Sequence, residues 1–140
     1  MDEKFSQTVK QIMGHDNRYR AAAYEFVNAA VTYTARKLER DRKPRGSRHV
    51  SGQELVEGTM DYAVIQFGFL APEVLEQWGV QQGEDVGNIV YNMIGAGLLS
   101  AGPEDSRKDF QCHPELITEL RQRIADAADF PEPPAPPVLD

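Results

Sequence analysis

The chain of 140 residues has the length of one domain, and its hydrophobic content of 41% is far above that of disordered proteins. Residues 1–7 contain no apolar leader, no apolar run is long enough to cross a bilayer, and the single cysteine excludes an internal disulfide. These features predict a cytoplasmic protein without a membrane segment, and the net charge of −7 argues against nucleic-acid binding over the whole surface.

Apolar residues at helical spacing predict two helices at the start of the chain, over residues 3–14 and 18–40. The residues Ser51-Gly52-Gln53-Glu54 have the pattern of a capping box, which predicts that a third helix begins at 52 and continues to 67. Apolar side chains cover most faces of this third helix, among them Tyr62 and Ile65, so we expect it to be central.

Three further helices are predicted in the second half of the chain, at residues 72–78, 85–96 and 114–127. The fold class is therefore mainly α, with a single helical domain over residues 1–129. A proline-rich tail follows at residues 130–140. Because prolines favour the extended polyproline II conformation, we expect this tail to be disordered and to make few packing contacts.

The order of a helix, a tight turn and a second helix is that of a winged helix if a hairpin follows at residues 98–111. The domain would then consist of an N-terminal helical pair at 3–45, a winged-helix-like core at 48–111 and a C-terminal helix at 112–129. A short strand at 48–50 would join the wing. The alternative is an irregular helical bundle with a loop after residue 97, and the pattern alone leaves both open.

Charge is segregated along the chain. Residues 1–50 carry 11 basic and 6 acidic side chains, whereas residues 51–140 carry 4 basic and 16 acidic side chains. The basic groups concentrate in residues 36–48, which we name the basic arm. This arm is a candidate phosphate-binding segment through four residues, Arg40, Lys43, Arg45 and Arg48.

The basic arm contains no aromatic side chain that could stack on a base, and two acids dilute it. The alternative, which we favour, is that its cations pair with the acidic part of the same protein.

The exposed face of helix 85–96 is a candidate partner-binding surface formed by Asn88, Tyr91 and Asn92. A helix that reads DNA needs cations for the phosphates, and this face has none, so a protein partner fits better. Gly87 and Gly95 would leave a shallow notch around the tyrosine. The alternative is that the tyrosine is half-buried and the glycines serve packing.

Catalysis has little support in the sequence. The three histidines are isolated from one another, and no metal-ligand spacing or cofactor-binding motif is present. Cys112 and His113 are adjacent, but sequence neighbours seldom point at each other, so we interpret the cysteine as a packed side chain. We therefore expect no enzymatic activity, no metal and no cofactor.

Two strings of residues resemble a small family of uncharacterised bacterial proteins. The first is Arg18-Tyr19 with Ala23-Tyr24-x-Phe26-Val27, and the second is Arg48-His49-Val50-Ser51-Gly52-Gln53-Glu54-Leu55-Val56-Glu57-Gly58. The resemblance extends over about residues 5 to 111, and it implies no activity or ligand. The sequence as a whole predicts a non-enzymatic protein-interaction or regulatory module of the bacterial cytosol. A nucleic-acid-binding protein that uses the basic arm is the alternative.

Overall fold

Six α-helices form the part of the chain that the structure, a computed structural model, describes: residues 2–44, 49–101 and 106–127. They are α1 (Glu3–Met13), α2 (Ala21–Lys37), α3 (Gly52–Phe67), α4 (Ala71–Gln77), α5 (Gly83–Gly95) and α6 (Leu116–Asp126). Short 3₁₀ turns lie at Arg40–Arg42, Gly68–Leu70 and Arg107–Phe110. The mainly helical fold class is thus confirmed, and no described helix is long and apolar enough to cross a membrane.

Helices α2 and α3 form the main packing pair of the domain. The second half of α2 lies beside the first half of α3, and Phe26 near the start of α2 contacts Phe67 at the end of α3, so the two helices are antiparallel. Together with α5 they enclose one hydrophobic core, to which residues from Val9 to Leu120 contribute. The described residues therefore form a single domain.

The start of α3 is the capping box that the sequence predicts. The Ser51 hydroxyl accepts a hydrogen bond from the Glu54 backbone N–H at 3.1 Å, and the Glu54 carboxylate accepts one from the Ser51 N–H at 2.9 Å. A second capping box, which the sequence analysis missed, opens α5 at Gln82, where the carboxylate of Asp85 accepts from the backbone N–H of Gln81 and of Gln82.

The second helix is shorter at both ends than the sequence predicts. It ends at Lys37, because Glu39 adopts a left-handed backbone conformation with φ of 58° that turns the chain into the Arg40–Arg42 turn. Its N-cap is Arg20, whose backbone N–H donates to the carbonyl of Trp78 at the end of α4.

The predicted hairpin at 98–111 and the predicted strand at 48–50 are wrong for the residues that the structure describes. Residues 107–110 form a 3₁₀ turn, and residues 49–50 and 98–101 contain no strand. Phe110 explains this, because its ring is only 4% exposed and is inserted between Gly52 of α3 and Gly87 of α5. A segment anchored in the core by such a ring cannot extend outward as a wing. Arg48 and residues 102–105, the tip of the predicted hairpin, lie outside the described residues.

Candidate protein-interaction surface

Two of the three side chains predicted to bind a partner make hydrogen bonds within the domain. The Asn88 amide donates to the Tyr19 hydroxyl at 2.9 Å, and the Asn92 amide donates to the Tyr24 hydroxyl at 3.0 Å and to an Asp16 carboxylate oxygen at 2.8 Å. Burial raises the pKa of both tyrosines, so the hydroxyls stay protonated. Each asparagine therefore links α5 to the chain around the start of α2.

The third predicted residue, Tyr91, is half-buried against the Arg107–Phe110 turn. Its ring meets the Phe110 ring edge-on with centroids 5.9 Å apart, and the Arg107 guanidinium lies 4.6 Å from its centroid. The notch expected at Gly87 is filled, since a Cβ there would lie 2.7 Å from Phe110. Only the Gly95 side is open. Partner binding by Asn88, Tyr91 and Asn92 remains a prediction, but all three have a structural role.

The described cations of the basic arm pair mainly with acids of the same protein. Arg40 makes a bidentate ion pair with Glu54, at 2.8 and 3.2 Å, and also donates to the His49 carbonyl. Lys37 pairs with Asp61 on α3, which raises the lysine pKa. Of the other predicted phosphate-binding residues, Lys43 is exposed after the 40–42 turn, and Arg45 and Arg48 lie outside the described residues.

A cluster of ion pairs joins α3 to α6 and to the segment before it. Arg123 binds both Glu57 and Asp61, and the two ring nitrogens of His113 each lie 2.8 Å from a carboxylate, Glu57 on one side and Glu119 on the other. Burial raises the pKa of Glu57, but Arg123 and His113 outweigh it, so the pKa lies below its usual range. This cluster fastens α6 to the domain.

Cys112 has no base directed at it. Both nitrogens of the adjacent His113 face glutamates, and burial and nearby carboxylates raise the pKa of the thiol, which keeps it protonated. The thiol is exposed, contrary to the prediction of a packed side chain. The described residues also contain no group of three or more His, Cys, Asp or Glu side chains placed to hold a metal ion.

Aromatic rings in contact with one another run along α2, α3 and the end of α4, with four partly exposed rings around a buried one, and we name them the aromatic row. Consecutive ring centroids are 5.2–5.6 Å apart, within the range of favourable aromatic contacts. The ring of Phe26 is buried at the centre, and the other four are half-buried. The members of the row are Tyr33, Tyr62, Phe26, Phe67 and Trp78.

The polar tips of the aromatic row have no partner within the described part of the chain. No hydrogen bond joins the hydroxyls of Tyr33 and Tyr62 or the indole N–H of Trp78 to another described group, whereas buried Tyr19 and Tyr24 both have partners. Among the described residues no buried side-chain nitrogen or oxygen lacks a hydrogen bond, so the three tips reach solvent. The row therefore offers three hydrogen-bond donors beside apolar ring faces.

The exposed side chain of Ile65 lies beside the row, and two more exposed apolar side chains come shortly after it in the chain. Ile65 lies one helical turn after Tyr62 and is 61% exposed, and Phe69 and Leu70 follow with exposures of 42% and 52%. At the other end, Tyr33 and Tyr62 line a shallow depression of about 570 Å³ rimmed by the cations Arg36 and Lys37. An apolar surface with a charged rim is typical of sites that bind other proteins.

Sequence reasoning did not find the aromatic row. It assigned Tyr62 and Ile65 to the buried faces of a central helix. That assignment is wrong for Ile65, whose side chain is exposed. The available signal was the excess of apolar residues around α3, because a helix that is apolar on all sides either is buried all round or exposes an apolar face.

No protein-family model matches this chain, and no curated protein and no solved structure is detectably similar to it. The resemblance to a small bacterial family thus stays a prediction.

Proposed function

We propose that this protein is a non-enzymatic interaction module that binds another protein through the aromatic row. The observation that carries the proposal is that half-buried aromatic rings, donor groups without partners among the described residues and the exposed side chain of Ile65 lie together. Tyrosine and tryptophan dominate the energetics of protein interfaces because each combines a large apolar face with a polar tip.

The basic arm supports the alternative function, nucleic-acid binding, less well. Lys37 and Arg40 are neutralised by Asp61 and Glu54, and the acids of α3 lie beside them. Phosphates within a Debye length of about 8 Å would be repelled by those acids at physiological salt. We therefore expect wild-type protein to bind mixed-sequence oligonucleotides only weakly. Submicromolar binding whose log–log salt slope rises by about 0.9 per phosphate would instead favour the alternative.

Site-specific photo-crosslinking tests the proposed surface directly. A photoreactive residue at Ile65 lies beside the aromatic row, and the same residue at Gln7 on α1 is a matched control on a helix that packs against α2 and α5. We expect a nuclease-resistant protein adduct from native lysate at position 65 and none at position 7. Equal adducts at both positions, or none at 65, would contradict the proposal.

A pair of substitutions then separates this surface from exposed apolar groups elsewhere. Phe69→Ser removes an exposed ring two residues after Phe67 of the row, and Leu38→Ser removes a side chain of similar exposure at the end of α2. Loss of an interface hot spot costs at least about 2 kcal/mol, so Phe69→Ser should weaken the cross-linked complex about 30-fold. Leu38→Ser should leave its affinity unchanged.

A further inference from the structure

His113 lies where α3, α5 and α6 meet, and its side chain is only 11% exposed. The ring lies between carboxylates of two different helices. Its Nε2 atom is 2.8 Å from a Glu57 oxygen on α3, and its Nδ1 atom is 2.8 Å from a Glu119 oxygen on α6. The backbone carbonyl of His113 accepts a hydrogen bond at 2.8 Å from the N–H of Gly83, the first residue of α5. The backbone thus holds the ring between the two carboxylates.

These two contacts of the ring require two protons. A distance of 2.8 Å between a ring nitrogen and a carboxylate oxygen is that of a hydrogen bond, and each such bond needs a proton. A neutral imidazole has a proton on one nitrogen only, so its other nitrogen would turn a lone pair toward a carboxylate oxygen. Carboxylic acids are stronger acids than imidazolium, so the second proton belongs on the ring. The geometry therefore describes His113 as an imidazolium that donates to both glutamates.

The charged side chains of the surrounding helices favour an imidazolium. Three carboxylates and two cations belong to the same cluster, which gives it a formal charge of −1 without the ring and zero with an imidazolium. Both cations already have carboxylate partners. The five groups are Glu57 and Asp61 of α3, Glu119 and Arg123 of α6, and Lys37 of α2.

The described charged groups of residues 107–113 do not compete for this role. The Cys112 thiol stays neutral because burial and nearby carboxylates raise its pKa, and Asp109 adds a negative charge near it. The Arg107 guanidinium lies over the Tyr91 ring. The imidazolium is therefore the group in this segment that can donate to Glu57.

Loss of one ring proton breaks one of the two contacts. Glu57 keeps Arg123 as a partner, whereas the Glu119 carboxylate has no second partner in the described part of the chain. The remaining proton therefore stays on Nδ1 of His113, opposite Glu119, and Nε2 turns a lone pair toward Glu57. Of the described ion pairs between α3 and the C-terminal part of the domain, those of Arg123 then remain.

We propose that His113 is a proton-dependent bridge, which fixes α6 to α3 when the ring is doubly protonated and loosens α6 when the ring is neutral. Leu116 and Leu120 of α6 are fully buried, so a loosened α6 exposes part of the core to solvent. α6 is the last element that the structure describes, and the predicted proline-rich tail at residues 130–140 lies outside the described residues.

The test measures the unfolding equilibrium constant by urea denaturation between about pH 5.5 and 8, on either side of the value of about 6.5 at which an unfolded histidine loses its proton. An imidazolium that the fold favours contributes stability that is complete below that value and is lost as the pH rises. The ratio of the constant of His113→Asn to that of the wild type should therefore be largest at the acidic end and fall about ten-fold toward pH 8.

His15→Asn is the matched control, because His15 is exposed just after α1 and has no ion-pair partner among the described residues. Its ratio to the wild type should not change with pH. A ratio for His113→Asn that is equally constant would overturn the inference.

Glu57→Gln is a second variant, which keeps the test valid if His113→Asn does not fold. The glutamine amide can donate to a neutral ring nitrogen, and its carbonyl oxygen can still accept from Arg123. Hydrogen exchange corrected for intrinsic rates should show that α6 amides of the wild type lose about ten-fold in protection between the two ends of the pH range, while those of Glu57→Gln keep theirs. Equal losses in both proteins, or an imidazole NMR spectrum of wild-type His113 that shows a neutral ring at about pH 5.5, would also overturn the inference.

Discussion

Thr34 of α2 and Gly58 of α3 meet at a point where the two helices leave no room for a side chain. A Cβ built on Gly58 would lie 1.9 Å from the Thr34 hydroxyl oxygen and 2.9 Å from its Cβ. The Thr34 hydroxyl is held in place, because it donates to the Ala30 carbonyl at 2.7 Å. The absence of a side chain at position 58 is therefore a condition for the α2–α3 packing.

Gly58→Ala should destabilise the domain by about 1–3 kcal/mol, the usual cost of overpacking a core. Gly95→Ala is the matched control, since no described atom beyond its own stretch of helix lies within 4 Å of a Cβ there and alanine favours a helix by up to about 1 kcal/mol. Urea denaturation should show opposite signs for the two variants. Equal effects would mean that helix propensity, and not the contact with Thr34, determines the outcome.

Ser51→Ala should cost about 1 kcal/mol, because it leaves the Glu54 backbone N–H without its capping acceptor. Ser51→Thr keeps the hydroxyl and should recover most of the loss. The denaturation midpoints of the three proteins at neutral pH measure this. An unchanged midpoint for the alanine variant would show that the Ser51 hydroxyl does not stabilise the domain.

The pH dependence of stability should report the ion pair between Arg40 and Glu54. Burial raises the pKa of Glu54, but the Ser51 N–H and Arg40 outweigh it, so the pKa lies below its ordinary value of about 4.3. A lowered pKa contributes stability that is complete above about pH 4.3 and is lost as the pH falls through the folded value.

Glu54→Gln keeps an acceptor for Ser51 and removes the charge. Its stability deficit relative to wild type should be largest at neutral pH and should shrink below about pH 4.3. Chemical denaturation between pH 3 and 7 provides the comparison. A deficit that does not change with pH would show that the carboxylate charge contributes nothing. The variant should still lose stability in acid, because the pKa values of Asp16 and Glu57 are lowered as well.

Asn92→Ala should lower stability by about 1–3 kcal/mol, since it removes the donor shared by Asp16 and the Tyr24 hydroxyl. Asn28→Ala is the control, because Asn28 has no hydrogen-bonding partner in the described part of the chain. Thermal unfolding of both variants separates the two positions. If Asn92→Ala leaves the melting temperature unchanged but weakens a protein complex, the prediction of a partner site at Asn88, Tyr91 and Asn92 is supported.

Phe110→Ala should cost about 3–5 kcal/mol, the usual penalty for removing a buried aromatic ring. Phe69→Ser alters a ring of the same type that is 42% exposed, and should change stability by less than about 0.5 kcal/mol. Guanidinium denaturation measures both. A severe loss in Phe69→Ser would mean that the ring is part of the core and not of the proposed surface.

Local patterns in the sequence predicted local structure well. Ser51 and Glu54 are three residues apart, and their capping box follows from backbone geometry alone. The failures lie where distant segments meet. The hairpin expected around residue 110 depended on whether Phe110 would find a pocket between two glycines that are 35 residues apart in the chain, Gly52 and Gly87.

The aromatic row was missed, and the surroundings of Asn88 were misjudged, for the same reason. Nothing in the helix of Asn88 shows that its amide donates a hydrogen bond to Tyr19, 69 residues earlier. The aromatic row is built from three helices, and the spacing within each helix cannot show that Phe26, Tyr62 and Trp78 share one surface.

The contacts between α2 and α3 also bear on how quickly the chain folds. Arg40 pairs with Glu54 and Lys37 with Asp61, over separations of 14 and 24 residues, and these pairs flank the contact between Thr34 and Gly58. Pairing between neighbouring segments closes short loops and favours rapid folding. The opposite charges of the two helices attract over about 8 Å at physiological salt. The charge segregation of the sequence therefore gives the nascent helical hairpin a kinetic bias toward its correct register, and added salt should slow its formation.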